Sequence, residues 1–426
     1  MLYVMFAAML IFIILRLPIA IAIGGSCLVY ILGAGGIPLH TAVQRMASGI
    51  NNYTLLAVPF FILAGNLMNH GGISNRIFNF ANACVGSLKG GLAHVNVLAS
   101  VIFAGMSGAA VADAGGLGAI EIKAMKDHGY GEQVTIGITA ASSLIGPIIP
   151  PSMPFVVYGV AASASIGRLF AAGVIPGMLM AASLMLLIYL RADAFGCPRE
   201  PATSLRNIAC AFIDAFFSLM APVIILGGIF TGWFTPTESA AIASFYALIL
   251  GFAYHDLDWR TTKEALVSSM TTTVQVLFIV ASASLFAYIL AREQVPQRIA
   301  AAVLEWTSSY WLILLILNIL LVIVGLFMES LAAINILVPV FLPLFEELNI
   351  NPVHFGLIMC VNLMIGTLTP PFGAVLFVLS GVSGIPVERV FRHTAIFLIP
   401  LLVVLALVNI FPDLSLFLPN LLFGPE

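Results

Sequence analysis

Two interruptions of one kind, 220 residues apart, constrain this chain more than any other feature. Ile145-Gly146-Pro147-Ile148-Ile149-Pro150-Pro151 and Ile365-Gly366-Thr367-Leu368-Thr369-Pro370-Pro371 each break a long apolar run with a glycine and a Pro-Pro pair. Proline lacks an N–H and its ring clashes with the carbonyl one turn back, so a helix cannot run through either segment unbroken. Freed peptide groups are costly where water is absent. The surroundings are of that kind, since 61% of the 426 residues are hydrophobic and 8% are charged, against about 25% charged in soluble domains. The composition is that of an all-α polytopic membrane protein. At about 20 apolar residues per span there is room for about ten to twelve crossings, some of them partial. Two helices unwound in corresponding places predict a transporter of two structural repeats, with the broken helices forming the binding site near the bilayer midplane.

The repeats divide at the longest polar connector, Asp193 to Asn207, which has Arg191, Arg199 and Arg206 in or beside it. The first repeat is 1–207 and the second 208–426. At a fixed shift of 220, Gly105 meets Gly325, Gly146 meets Gly366, Pro150 meets Pro370, Pro151 meets Pro371 and Ser163 meets Ser383. Scaffold helices are expected over roughly 2–33, 41–69, 76–88, 168–192, 212–230, 236–255, 264–292, 296–306 and 389–411. The stretch 1–33 reads as a retained, bent first helix and not a cleaved leader, because no basic segment precedes it. Broken helices are expected over about 133–165 and 353–385. Before each lies a run with a central glycine, about 91–122 and about 311–342. The 14 residues from Gly91 to Gly105 reach roughly 21 Å, short of the ~30 Å hydrocarbon core. A re-entrant hairpin therefore fits each run. Lys89, Lys123 and Lys126 bracket the first hairpin, whereas Glu305 and Glu346-Glu347 bracket the second, with Trp306, Tyr310 and Trp311 nearby. Positive residues favour the cytoplasm, so the first hairpin should open from inside, the second from outside, and the repeats should be inverted.

The first hairpin tip, Gly105-Met106-Ser107-Gly108-Ala109, offers close backbone approach, a hydroxyl and freed carbonyls. Asp113 follows within the apolar hairpin. An intramembrane acid is a functional candidate by default, although capping the following half-helix or pairing with Lys123 is an equally good reading. The second tip is Gly325-Leu326-Phe327-Met328-Glu329-Ser330. Glu329 could orient the tip, touch a cation, carry a proton or cap the next half-helix. A broken helix presents a carbonyl end that attracts cations and an N–H end that attracts carboxylates. Candidate substrate contacts are accordingly Ser107, Gly108, Pro150, Pro151, Ser152, Glu329, Asn362, Thr367, Pro370 and Pro371. Oxygen-only donors suit an alkali cation and not a transition metal. Glu238, in Thr235-Pro236-Thr237-Glu238, belongs to a capping box. Asn66, Asn96, Asn318, Asn335, Asn362 and Gln275 lie in apolar runs, where hydrogen bonding between helices is the default; Asn362, one turn before Gly366, is the exception to watch. Arg16 is expected to snorkel. The five cysteines show no CxxC spacing and read as free thiols. No Walker A, GxSxG or HExxH motif occurs, no cofactor is implied, and no basic stripe points to nucleic acid.

These motifs resemble the large membrane subunit of tripartite ATP-independent periplasmic (TRAP) transporters nearly end to end. They include Pro59-Phe60-Phe61-Ile62-Leu63-Ala64-Gly65, Gly71-Gly72-Ile73-Ser74, Ser107-Gly108 through Asp113, Pro147 through Ser152, Gly227-Gly228 with Phe234 to Glu238, and Gly366 through Pro371. The resemblance implies no enzyme but secondary, Na⁺-driven uptake of an organic acid (a C4-dicarboxylate, sugar acid or similar carboxylate) across the bacterial inner membrane. It also implies a small four-helix membrane subunit, a periplasmic substrate-binding protein, and an elevator in which hairpins and broken helices slide against a scaffold. It places one Na⁺ site at Gly105, Ser107, Gly108 and the break from Gly146 to Ser152. The other falls at Gly325, Met328, Gly366 and Thr369. Relatives often carry a second small hydroxyl residue where this chain has Ala109, which would leave backbone oxygens to serve. The residues alone also admit a proton- or ion-coupled antiporter using Asp113 and Glu329, or the membrane anchor of an enzyme complex.

Overall fold

The computed structural model describes residues 1–15, 17–198, 204–307, 309–370 and 373–425. Arg16, Arg199 and Pro371 lie outside the described residues. Every regular element described is helical.

The apolar stretch expected as one bent helix over 1–33 is two helices, α1 (Leu2–Ile14) and α2 (Ile19–Ala34), because Pro18 cannot continue the first and starts the second. The expected helix 41–69 is likewise divided. α3 (Leu39–Ile50) and α4 (Ala57–His70) flank a 3₁₀ turn (Tyr53–Leu56), and the pair bends by 62°. α5 (Ile73–Val85) leads to the first hairpin, made of α6 (Gly91–Ser107), α7 (Ala110–Gly115) and α8 (Leu117–Asp127). The first broken helix is α9 (Glu132–Ser143) and α10 (Met153–Ala162), and α11 (Ile166–Arg191) closes this half. α12 (Leu205–Phe230), α13 (Pro236–Ala253), α14 (Trp259–Arg292) and α15 (Val295–Trp306) follow. The second hairpin is α16 (Tyr310–Phe327) and α17 (Ser330–Leu348), and the second broken helix is α18 (Pro352–Thr367) and α19 (Ala374–Ser383). α20 (Val387–Ile410) and α21 (Asp413–Phe423) complete the chain, α21 being a helix the sequence reading leaves unassigned.

The helix starts follow from local chemistry. Thr235 and Glu238 form the expected capping box, with Glu238 N–H donating to Thr235 Oγ1 at 3.3 Å and Thr235 N–H to Glu238 Oε2 at 2.8 Å. Asp258 and Thr261 cap α14 in the same reciprocal way. The Thr261 N–H and hydroxyl hold the Asp258 carboxyl below its ordinary range. Asn351 caps α18, with Pro352 at the first position.

Six described helices (α11, α12, α13, α14, α16 and α20) are long and apolar enough to cross a bilayer, or seven if α3 and α4 make one bent span. This is fewer than the ten to twelve crossings expected from composition. The difference is spent in shorter apolar helices, among them α10, α18 and α19 of the broken helices. The broken helices occupy the centre. Every residue of α9 from Val134 to Ser143, and every residue of α18 from Val353 to Thr367, is buried. A helix apolar all round finds partners on every side, and α9 packs on α6, α8 and α20 while α18 packs on α16, α11 and α10. α10 also packs against α17, and α7 against α19.

Candidate functional site

Both hairpin tips and both helix breaks line one cavity of about 430 Å³. The first tip contributes Ser107, Gly108 and Ala109, and the second contributes Glu329, Ser330 and Leu331. Pro147 and Met153 come from the first break, Thr367 and Ala374 from either side of the second. α4 and α14 close the remaining side.

The first tip is bound to its break backbone to backbone. α6 ends at Ser107, and Gly108 takes φ +60, a conformation that side chains disfavour. A Cβ at Gly108 would stand 2.5 Å from the Pro151 carbonyl oxygen, so only glycine fits. The Met153 N–H donates to the Gly108 carbonyl at 3.3 Å. Ser152 is wholly buried and caps α10. Its Oγ accepts from the Phe155 N–H at 3.3 Å and donates to the Pro147 carbonyl. The Pro150–Pro151 peptide is cis. Gly105 faces away from the break, with its missing side chain directed at Pro222 of α12, 2.5 Å from the Pro222 Cβ.

Asp113 is 1% exposed, and neither carboxylate oxygen has a hydrogen-bond partner among the described residues. It neither caps α7 nor pairs with Lys123. A Cβ on Gly146 would lie 3.7 Å from Asp113 Oδ2 and 3.7 Å from the Ala109 carbonyl, so the break and the acid are neighbours. The hydroxyls of Ser100 and Ser107 are buried without partners, and Ser100 adjoins Asp113. Glu121, 1% exposed and with Oε1 unpartnered, lies within electrostatic reach of Asp113. Buried oxygens without donors are costly unless a cation or a proton meets them. The cluster is suited to a hard cation held by oxygen. Ser100 and Glu121 are not singled out by the sequence. Glu121 stands two residues before Lys123, which makes it look like part of a polar helix end, although Ile120 and Ile122 flank it.

The second tip meets its break through glycines. A Cβ on Gly366 would fall 2.6 Å from both Cα and C of Gly325, so α16 and α18 touch backbone to backbone at this point. Met328 follows the end of α16, and the Glu329 carboxyl lies near the Leu331 N–H at the start of α17. Thr369 Oγ1 donates to the Ile365 carbonyl at 3.1 Å, and the Thr369 N–H to Gly366 at 3.0 Å. Thr367 is buried at the cavity wall.

Of the candidate substrate contacts, Ser107, Gly108, Glu329 and Thr367 line the cavity. Pro150, Pro151 and Ser152 are buried behind its surface, Pro370 is exposed elsewhere, and Pro371 lies outside the described residues. Asn362 does not reach the cavity. Its Nδ2 donates to Asn318 Oδ1 at 2.8 Å, and Asn318 in turn donates to Asn409 at 2.8 Å, so the three amides join α16, α18 and α20. Asn66 bonds Ser269 of α14 at 2.8 Å, and Asn96 bonds Thr139 of α9 at 2.7 Å. Asn335 bonds only its own helix.

The family model described as "Tripartite ATP-independent periplasmic transporter, DctM component" matches residues 6–414. The chain is 46% identical over 409 residues to the sialic acid TRAP transporter large permease protein SiaM of Vibrio cholerae, covering 96% of each. It is 45% identical to the C4-dicarboxylate TRAP transporter large permease protein DctM of Pseudomonas aeruginosa, covering 87% of each. It is 40% identical to the sialic acid TRAP transporter permease protein SiaT of Haemophilus influenzae, covering 99% of this chain and 68% of that one. Among solved structures it is similar in fold to the YdaH transporter of Alcanivorax borkumensis, with a TM-score of 0.62, 15% identity and 87% of each chain covered.

Proposed function

The chain belongs to the DctM component family of tripartite ATP-independent periplasmic transporters, and from that premise we propose that it carries an organic acid into the cell with a Na⁺ gradient as the driving force. It is a multi-pass membrane protein and a large permease, and its relatives are named transporters, not enzymes. The bacterial inner membrane is the location this reading requires. The observation that carries it is the meeting of both tips and both breaks around one cavity.

In this reading, 91–122 and 311–342 are re-entrant hairpins of two inverted repeats, 1–207 and 208–426. Lys89 bonds Asp193 at 2.6 Å, which puts the base of the first hairpin beside the mid-chain connector. The starts of α10, α17 and α19 face the cavity through Met153, Leu331 and Ala374, and their N–H groups favour a carboxylate. The ends of α6 and α16 offer carbonyls to cations. One Na⁺ lies among Ser107, Gly108, Gly146 and the Asp113 carboxylate; the other lies near Gly325, Met328, Gly366 and Thr369. Gly105 contributes to the first site by letting α6 approach Pro222. Cation and acid neutralise each other in a site with low dielectric, which makes their binding mutually dependent. Hairpins and broken helices then move together against α4, α13 and α14 as an elevator. The acid is delivered by a periplasmic binding protein, and a small four-helix membrane subunit accompanies the chain. Relatives are named for sialic acid, C4-dicarboxylate and isethionate, so the class of cargo is a small organic acid.

The test is uptake by the complex in vesicles, with and without an inward Na⁺ gradient. Ser107→Ala and Thr369→Ala should raise the Na⁺ concentration needed for half-maximal uptake. Uptake indifferent to Na⁺ refutes the coupling. A proton-driven carrier is the second reading, favoured by Glu121 beside Asp113, and uptake that follows a pH gradient alone would select it.

A further inference from the structure

The sequence places six amides in apolar runs, and Gln275 behaves unlike the others. It sits on α14, within a window of mean hydropathy 2.2, and makes no hydrogen bond to any described residue. It lines the cavity opposite the tips. A primary amide in an apolar helix is costly unless water or a ligand meets it.

Its neighbours share a polarity. The Ser269 hydroxyl is donated to the Ala265 carbonyl at 2.6 Å, so Ser269 must accept from Asn66, which fixes Asn66 Nδ2 as the donor and leaves Asn66 Oδ1 unoccupied. The Thr272 hydroxyl is donated to the Ser268 carbonyl at 3.1 Å, so only its lone pairs are available. The wall of Asn66, Thr272 and Gln275 therefore presents the acceptors Asn66 Oδ1, Thr272 Oγ1 and Gln275 Oε1, and its free donors are neutral amide N–H groups, those of Gln275 and the second N–H of Asn66. No Lys, Arg or His lines the cavity among the described residues, and the acid that does, Glu329, offers a second carboxylate no counter-charge. A carboxylate is served at the helix starts and meets no cation at this wall. Hydroxyl or amide groups, which donate, fit the wall.

We propose that Gln275, with Thr272 and Asn66, determines specificity by reading the donor groups of a singly charged, hydroxylated acid, and so discriminates against a dicarboxylate. This rests on the functional reading above and narrows its substrate class. A site whose polar groups would be left unpaired by the wrong ligand discriminates strongly against it.

The experiment measures binding directly to the purified membrane subunits in Na⁺, by calorimetry, so that the binding protein's own selection does not enter. The probes are N-acetylneuraminate, gluconate and succinate. At least one hydroxylated monoanion should bind tenfold or more tightly than succinate. Gln275→Leu should cut that preference about tenfold, the loss expected of one good hydrogen-bonding group, and Gln275→Lys should turn it toward succinate. A monodisperse elution profile shows that each variant is folded. Succinate binding as tightly as the hydroxylated acids, or a ratio unmoved in Gln275→Leu, overturns the proposal. Na⁺-driven uptake by the same preparation, reconstituted in vesicles and supplied with the binding protein, separates the two readings: its presence with an unmoved ratio sinks this inference alone, and its absence sinks both.

Discussion

Gly366→Ala puts the glycine contact between α16 and α18 to a quantitative test. The new methyl would stand 2.6 Å from Gly325 Cα and C, whereas carbon atoms settle at about 3.5–4.0 Å. The two helices must part by about 1 Å, and neither atom belongs to a side chain that could rotate away. Overpacking of this kind costs about 1–3 kcal/mol. Against it stands the helix preference for alanine, about 1 kcal/mol at most in a helix interior and less here, since Gly366 is the penultimate residue of α18. The net should be a loss of about 1–2 kcal/mol, opposite in sign to what propensity alone gives. Gly227→Ala in α12 is the matched control, because nothing lies within 4 Å of its added Cβ, and it should be neutral or stabilising. Thermal unfolding in detergent, compared with Na⁺ half-saturation of uptake, reads both consequences. Gly366→Ala should melt earlier and need more Na⁺, as the displaced α16 carries Met328 with it. A melting temperature at or above that of the unmodified protein, with Na⁺ dependence intact, would refute the backbone contact.

Gly108→Ala should abolish uptake in a folded protein, since the left-handed backbone costs about 1–2 kcal/mol and the methyl meets the Pro151 carbonyl; normal uptake by purified, monodisperse variant would count against the tip geometry. Asn362→Leu should lower the melting temperature by removing one hydrogen bond from Asn318, at about 1 kcal/mol since Asn409 still donates to Asn318 Oδ1, while the folded fraction binds substrate as before; a calorimetric loss of affinity would instead put Asn362 in the site. Thr235→Ala should cost about 1 kcal/mol through the lost cap and leave Na⁺ half-saturation unchanged in the uptake assay.

How much of this was legible in the sequence depends on the range of the interaction. The breaks at Gly146 to Ser152 and at Gly366 to Pro370 could be read directly, because proline acts on its own helix. The Thr235–Glu238 box is equally local. Ends of helices were found within a few residues where glycine or proline marks them, but the division of 1–33 and of 41–69 was missed, as Pro18 reads equally as a bend within one helix and the Asn51–Asn52 elbow carries no proline. The site residues were found in part. Ser107, Gly108, Glu329 and Thr367 lie on the interruptions and reach the cavity. Asn362 was placed by its distance along the chain from Gly366, yet the side of α18 it occupies faces Asn318 on another helix, which spacing does not reveal. Glu121, Thr272 and Gln275 gain their significance from neighbours 8 to more than 100 residues away in sequence, and one chain carries no signal of those pairings.

The length of α14 has a mechanical consequence. The 27 residues between Glu264 and Arg292 extend about 40 Å, some 10 Å more than a typical hydrocarbon slab. With charges at both ends, a helix of that length tilts or kinks in the slab unless the lipid thickens to match it. Where it tilts it is an oblique strut, with its two ends over different points of the membrane plane. Any body that rises along the membrane normal against such a slope is steered laterally as it climbs, so the top and bottom of its travel lie beside different neighbours.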